Sequence, residues 1–367
     1  MKTKAKREPL IRIAKRDKFS KRKGIVVRAI AIIAALVVDA LFIFLVTGLN
    51  PLQVYVTMFE GTFGTATRFM WMLRDMVMLL CVGIALAPAF KMKFWNIGAE
   101  GQVLVGGLAT ALCMVYFGEA LPTPVLLVVM ILTSIVAGAL WGFIPAFFKA
   151  RFNTNETLFT LMMNYVAIQI VACCTNIMRG EKSSLGFLNM GTKAGWLPSV
   201  FGQSYFINIV IVFILAILMF IYLKHTKQGY EIAVVGESRN TARYAGINVS
   251  KVTIRTMCIS GAICSICGFL TVAGKDHTIS VDTAGGNGFT AIIVAWLAKF
   301  NTFYMILISF LLTFLEVGAH QIASSYSILN DYASDIITGI ILFFILGCEF
   351  FINYKVIFRG KTAKEVE

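Results

Sequence analysis

The sequence predicts an all-α membrane protein of about ten transmembrane helices, and three observations carry that expectation. The chain is 58% hydrophobic and only 14% charged, with a mean hydropathy of +0.79, and a water-soluble surface cannot be built from that composition. Ten apolar runs long enough, or nearly long enough, to span a bilayer follow one another along it. The basic residues also sort by side. With the first segment in the cytoplasm, the inside segments collect 27 of the 33 Lys and Arg and the outside segments 6.

The formal net charge of +14 invites a nucleic-acid reading, which the location of the charge excludes. Residues 1–28 hold 12 of the basic residues, and no basic patch alternates with exposed aromatics. A basic segment before an apolar run also resembles a signal peptide, but Ala29–Leu49 is longer than an h-region and no small-x-small cleavage site follows. It is read as the first membrane helix.

The remaining runs fall at about 76–90, 97–117, 124–148, 156–178, 205–223, 252–274, 288–298, 302–320 and 332–352. The second and eighth are short for a core about 30 Å thick. Both termini are expected in the cytoplasm, with a basic tail over 1–28, a transmembrane domain over 29–352 and a second tail over 353–367. Between the runs, 50–67 reads as an interfacial stretch, Glu119–Pro124 as a tight turn and Arg179–Ser204 as a longer polar loop. All eight cysteines lie in apolar runs, where they act as small hydrophobes.

One phrase interrupts this lipid-soluble text with polar groups: Phe94-Trp95-Asn96-Ile97-Gly98-Ala99-Glu100-Gly101-Gln102, running on to Gly107. A carboxylate at bilayer depth costs roughly 2.5–3.5 kcal/mol on insertion scales, so Glu100 should face protein or water. A second glycine-rich phrase, Gly285-Gly286-Asn287-Gly288-Phe289-Thr290, opens the eighth run. With ten passes, helices two to five and seven to ten cross in opposite senses, as in an inverted repeat. Interruptions at corresponding points of two halves mark a solute path. Asn96, Gly98, Glu100, Gln102 and Asn287 are therefore candidate path residues. The competing reading is an ordinary helix start, with Glu100 complementing the dipole of its own first turn.

Glu156, Thr160 and Asn164 are four apart and share a helix face. Asn164 is assigned to the path. Thr160 either joins it or back-bonds to a carbonyl, and Glu156 sits beside Lys149 and Arg151. Glu316 and His320 have the same spacing and offer proton coupling, the basis of an alternative reading as a secondary carrier. Asp39, Arg74 and Asp75 are expected in interhelical or interfacial pairs. Over Lys224–Arg255, Ser238 or Asn240 can cap a short helix through Tyr244, and Gly246 can end it.

The phrase 94–107, the stripe around Asn155–Tyr165, the loop from Gly229-Tyr230-Glu231 through Gly236-Glu237 to Ala245-Gly246-Ile247, and Gly288-Phe289-Thr290-Ala291-Ile292 together resemble the permease subunits of ATP-binding-cassette importers. The similarity runs over about 30–352 and points to the nucleoside and simple-sugar branch, related to the branched-chain amino acid permeases. Ala295-Trp296-Leu297-Ala298-Lys299-Phe300 is bulkier than that branch's small-residue run.

The resemblance implies a permease, not an enzyme, with no cofactor or metal, in the plasma or inner membrane. Its implied partners are a second permease subunit, identical or paralogous, a separate ATPase subunit and an extracytoplasmic solute-binding protein. The coupling loop, over 224–251, would meet the ATPase through Gly229, Glu231, Gly236, Glu237, Asn240, Ala242 and Gly246. The implied cargo is a nucleoside, with monosaccharides and branched-chain amino acids as alternatives. The chain has no Gly-x-x-x-x-Gly-Lys-Ser/Thr phosphate loop; Gly268 to Lys275 has the wrong spacing.

Overall fold

The computed structural model describes residues 11–15, 21–182, 184–200, 202–203, 205–326 and 331–358. Its elements, in chain order, are β1 (Ile11–Lys15), α1 (Lys21–Thr47), α2 (Pro51–Phe63), α3 (Ala66–Lys91), α4 (Ala99–Phe117), α5 (Thr123–Phe152), α6 (Glu156–Arg179), α7 (Phe206–His225), α8 (Lys227–Glu237), α9 (Arg239–Tyr244), α10 (Val249–Thr271), α11 (Asn287–Leu297), α12 (Thr302–Ser325), α13 (Asp331–Asn353) and β2 (Tyr354–Phe358). This is an all-α membrane protein. Among the described residues seven helices are long and apolar enough to cross a bilayer, or eight if α1 and α2, bent by 112°, form one broken span. The chain divides into two compact units, Met70–Thr313 and Met1–Phe69 with Phe314–Glu367.

In the larger unit α4, α5 and α10 form the core. They approach closely because small residues line the contacts, which is how membrane helices gain packing without a hydrophobic drive. A Cβ added to Gly138 of α5 would stand 2.4 Å from the Gly261 oxygen of α10, and one on Gly142 would stand 2.4 Å from the Met257 oxygen. Ser134 donates to the Ser265 carbonyl (2.7 Å), and Ser265 donates to the Gln102 carbonyl (3.0 Å), tying three helices through buried hydroxyls. Gly268 to Lys275 belongs to this helical packing, since α10 continues into a π-helical turn over Val272–Asp276.

The second span is longer than the sequence reading gave it, because Arg74 and Asp75 break its apolar run without ending the helix. Arg74 pairs with Asp75 (3.0 Å), and Lys275 reaches the same carboxylate (3.0 Å). α3 and α11 end alike: Lys93 (φ 58°) and Lys299 (φ 50°) take the left-handed position after each helix. The next amides, Phe94 and Phe300, bond back to the Ala89 and Ala295 carbonyls (2.9 and 3.0 Å). Trp95 and Trp296 stack across these two ends, centroids 5.1 Å apart.

The polar loop after α6 is docked onto the end of α10. Leu188 and Leu197 donate to the carbonyls of His277 and Ala273 (2.8 and 2.9 Å), and the Trp196 and His277 rings stack 3.8 Å apart.

In the smaller unit, α1 and α13 pack together with α2 and the end of α12 around Ala35, Ile43, Val54, Met58, Leu315, Ile322, Ile337 and Ile341. The interfacial stretch is the helix α2, capped by the Asn50 side chain on the Leu52 amide (3.0 Å) with Pro51 in its first turn. β1 and β2 pair antiparallel, Ile11 opposite Phe358, a small sheet that the apolar pattern did not announce. One expectation is corrected here. Among the described residues Asp39 makes no hydrogen-bonded pair: it is fully buried on the face of α1 that carries Ala35 and Ile43, and its carboxylate has no hydrogen-bond partner there. Residues 1–10, 16–20 and 359–367 of the two tails lie outside the described residues.

Candidate functional site

The two glycine-rich phrases meet. The Glu100 carboxylate, in the first turn of α4, accepts the Gly286 amide at 2.8 Å through Oε1 and the Gly288 amide at 2.7 Å through Oε2. These are amides at the start of α11, whose Gly286 cap (φ 73°) brings no capping side chain. The N-termini of two interrupted helices are thus fastened to each other, and a side chain of one supplies the cap of the other. Hydrogen bonds to a charged group contribute about 1.5–3 kcal/mol each, so two offset the roughly 2.5–3.5 kcal/mol cost of a carboxylate at bilayer depth. Only a glycine allows this approach, since a Cβ at Gly288 would lie 2.5 Å from the Glu100 nitrogen.

The segment entering α4 is held as tightly. Asn96 is fully buried; its Oδ1 accepts the Gly98 amide (3.0 Å), and its Nδ2 donates to Gln102 Oε1 and Ser260 Oγ (both 3.3 Å). From α6, Thr160 Oγ1 accepts the Ile97 amide (3.1 Å) while donating back to the Glu156 carbonyl (2.8 Å). Asn164 closes the frame, its Oδ1 accepting the Gly101 amide (2.9 Å) and its Nδ2 donating to the Ile97 carbonyl (2.8 Å). α6 starts where it does because Asn155 caps the Thr157 and Leu158 amides (3.0 and 3.3 Å), which sets Thr160 and Asn164 at the right height.

Asn96, Gly98 and Gln102 share one hydrogen-bonded group, Thr160 and Asn164 hold the Ile97 and Gly101 backbone of the same segment, and Glu100 bonds across to the start of α11. Asn287, at the start of α11, is half-buried beside it and bonds through its backbone amide to Ala284 (3.0 Å). Glu156 stands apart in an ion pair with Lys149 (2.8 Å). Ser260, Ser265 and the Trp95–Trp296 stack belong to the site and escaped sequence reasoning; a hydroxyl inside an apolar helix gives no pattern by itself. Glu316 and His320, the proton-coupling pair, are both exposed on α12.

The loop 224–251 folds into α8 and α9. Thr226 caps α8 on the Gly229 amide (3.1 Å), and Gly229 is buried against the end of α7. Glu231 pairs with Arg255 of α10 (3.0 Å). Gly236 lies so near the end of α3 that a Cβ there would stand 2.1 Å from the Lys91 oxygen. Ser238, one of the two caps the spacing offers, caps α9 (3.2 Å to the Thr241 amide), and Gly246 (φ 76°) follows its end as the spacing predicts. Ala242 is buried, Glu237 and Asn240 are exposed, and Tyr244 is 93% exposed at the tip.

Fold and site together define a polytopic membrane protein with two broken helices joined inside it, the class that includes solute permeases. The chain belongs to the family described as branched-chain amino acid transport system / permease component, which matches residues 68–346. It is 30% identical over 349 residues to the guanosine ABC transporter permease protein NupP of Bacillus subtilis (strain 168), covering 93% of this chain and 97% of that one. It is 28% identical to the glucose ABC transporter permease protein TsgB13 of Haloferax volcanii, covering 89% and 88% of the two chains. With the nucleoside ABC transporter permease protein NupB of Lactococcus lactis subsp. cremoris the identity is 26%, covering 89% and 92%. The protein is a permease component of a transport system and not an enzyme.

Proposed function

We propose that this chain is the permease subunit of an ATP-binding-cassette importer that carries nucleosides. It would sit in the plasma or inner membrane with a second permease subunit, a separate ATPase subunit and an extracytoplasmic solute-binding protein. The observation that carries the mechanism is the Glu100 clamp on the Gly286 and Gly288 amides. A carboxylate shared between two helix ends is a joint: it transmits movement of α4 to α11 without adding any covalent step. The names of two of the three relatives favour nucleosides, and the third favours a monosaccharide as the second reading.

In this reading the chain crosses the membrane ten times, with α1, α3–α7 and α10–α13 as the passes and both termini in the cytoplasm. Helices two to five and seven to ten form an inverted repeat, the tails are 1–28 and 353–367, and the permease domain is 29–352. The loop 224–251 holds the coupling helix, and Gly229, Glu231, Gly236, Glu237, Asn240, Ala242 and Gly246 set its docking to the ATPase. Rocking of the permease halves then opens the path to each side in turn. Asn96, Gly98, Glu100, Gln102, Thr160 and Asn164 shape the path from within, since their polar atoms are engaged by protein, and Asn287 is the remaining candidate path residue.

The test is reconstitution into liposomes with the ATPase and binding protein. Uptake of labelled nucleoside that requires internal ATP supports the reading. Uptake driven by a pH gradient without the ATPase would replace it with a proton-coupled carrier, and preferential uptake of glucose would replace the cargo.

A further inference from the structure

Trp95 and Trp296 come from two different helix ends and lie stacked, centroids 5.1 Å apart. The rings are nevertheless open: Trp95 is 43% exposed and Trp296 44%. Phe90, only 3% exposed, braces both, edge-on to Trp95 at 6.0 Å and tilted against Trp296 at 6.3 Å. Phe300 meets Trp296 edge-on at 5.4 Å. Indoles fixed by neighbouring rings form a surface that needs little further ordering when something binds to it. Phe289, seven residues before Trp296, shares its face of α11 and is 46% exposed. An open aromatic strip thus follows α11 for about 10 Å, from beside Gly288, which Glu100 holds, to the tryptophan pair.

Two arguments point this strip at the solute path. The backbone at Trp95 is neither helix nor strand, and such backbone is not left facing lipid tails; it is covered by protein or lines a watery space. The polar groups nearby are also committed, since both Glu100 oxygens, Thr160 Oγ1 and the Asn164 amide bond to the protein itself. What this part of the site presents to a solute is aromatic surface. Such a surface takes a flat π-system: a base stacked on an aromatic side chain gains about 1–3 kcal/mol. A nucleoside carries such a ring and a monosaccharide does not. The bulk that Trp296 and Phe300 bring to the run 295–300 thereby has a use.

We propose that the heteroaromatic base of the passing nucleoside stacks on the Trp95–Trp296 pair, so that these two residues give the permease a preference of its own for solutes with a large flat ring. The proposal rests on the nucleoside reading and supplies the solute contact within it.

The assembled transporter, reconstituted with its ATPase and binding protein, is tested for ATP-driven uptake of labelled adenosine, guanosine and uridine. The binding protein is the same throughout, so its own preference cancels when variants are compared. Trp296→Leu and Trp95→Leu lower kcat/KM for the two purine nucleosides about tenfold and for uridine, with its smaller ring, about threefold. Trp296→Phe, which keeps a ring, recovers most of the purine loss. Trp71→Leu, at a 50% exposed indole elsewhere on α3, leaves the purine-to-uridine ratio unchanged. Irradiated 8-azidoadenosine labels the wild type on the peptides that hold Trp95 or Trp296, and excess unlabelled adenosine prevents it; this measurement decides the matter if the leucine variants fail to assemble. Equal losses for all three nucleosides with a lowered melting temperature make the pair a structural or membrane-interface anchor and overturn the proposal, as do unchanged uptake or label on other peptides. A wild type that takes up glucose and none of the nucleosides overturns the nucleoside reading itself, and this contact with it.

Discussion

The Glu100 carboxylate holds the Gly288 amide at 2.7 Å, joining residues far apart in the chain. Because the same carboxylate also takes the Gly286 amide at 2.8 Å, it serves as the cap that α11 lacks in its own sequence. Replacing Glu100 with Ala should lower stability by roughly 2–4 kcal/mol, since two buried amides lose their acceptor. Glu100→Gln keeps one acceptor and should cost less, while still reducing uptake, because the joint loses its charge. Thermal unfolding in detergent and uptake in cells separate the two effects.

Gly288→Ala tests the same joint from the other side. The added Cβ would lie 2.6 Å from Glu100 Oε2 as well as 2.5 Å from the Glu100 nitrogen, so the ends must move apart. A destabilisation of about 1–3 kcal/mol is expected, with uptake impaired although no polar group is removed. Wild-type uptake and melting temperature in this variant would show that the contact is loose.

Asn164 distinguishes framing from solute contact. Its amide is used twice within the protein, by Gly101 and Ile97. Asn164→Ala should therefore reduce stability by about 1–3 kcal/mol and lower the transport rate, with little change in apparent substrate affinity. A raised KM at unchanged melting temperature would instead put Asn164 in contact with the solute.

Tyr244 is 93% exposed at the tip of α9, so Tyr244→Ala should leave stability within about 0.5 kcal/mol. If α9 docks in the ATPase, the variant nevertheless lowers transport-coupled ATP hydrolysis by several-fold. Unaltered coupling would move the docking surface elsewhere.

His277 gives the pH dependence. Burial pushes its imidazole below the ordinary value of 6.5, against the smaller opposing pull of hydrogen bonds to Ala273 and Val272. Because the folded value is the lower one, the unfolded chain takes up the proton first as pH falls. The stabilisation is complete above about pH 6.5 and is lost as pH drops below it. The loop docked by the Trp196–His277 stack should become more susceptible to proteolysis at acidic pH, and His277→Gln should flatten that profile.

Much of this was legible beforehand. The membrane-spanning, helical character follows from run length and hydropathy, and the cap of α9 falls on Ser238, one of the two residues the sequence offers for it, because a helix start is a local event governed by a few neighbouring residues. The second span was read short, since Arg74 and Asp75 look like an end when their partner Lys275 is not in view. Asp39 was expected in a pair, but the pattern along α1 does not reveal what faces it across the helix interface.

By itself, the sequence determined an all-helical membrane protein, the order of its segments and the two places where glycine and polar residues interrupt them. These are properties of local hydrophobicity and backbone freedom. Tertiary structure alone decided that Glu100 caps the other interrupted helix and that Asn96 reaches Ser260. Those pairings join positions 164 or more residues apart in the chain, and no periodicity encodes which buried donor will find which acceptor. Packing chooses among them, because in a medium without water an unpaired polar group is too costly to leave behind.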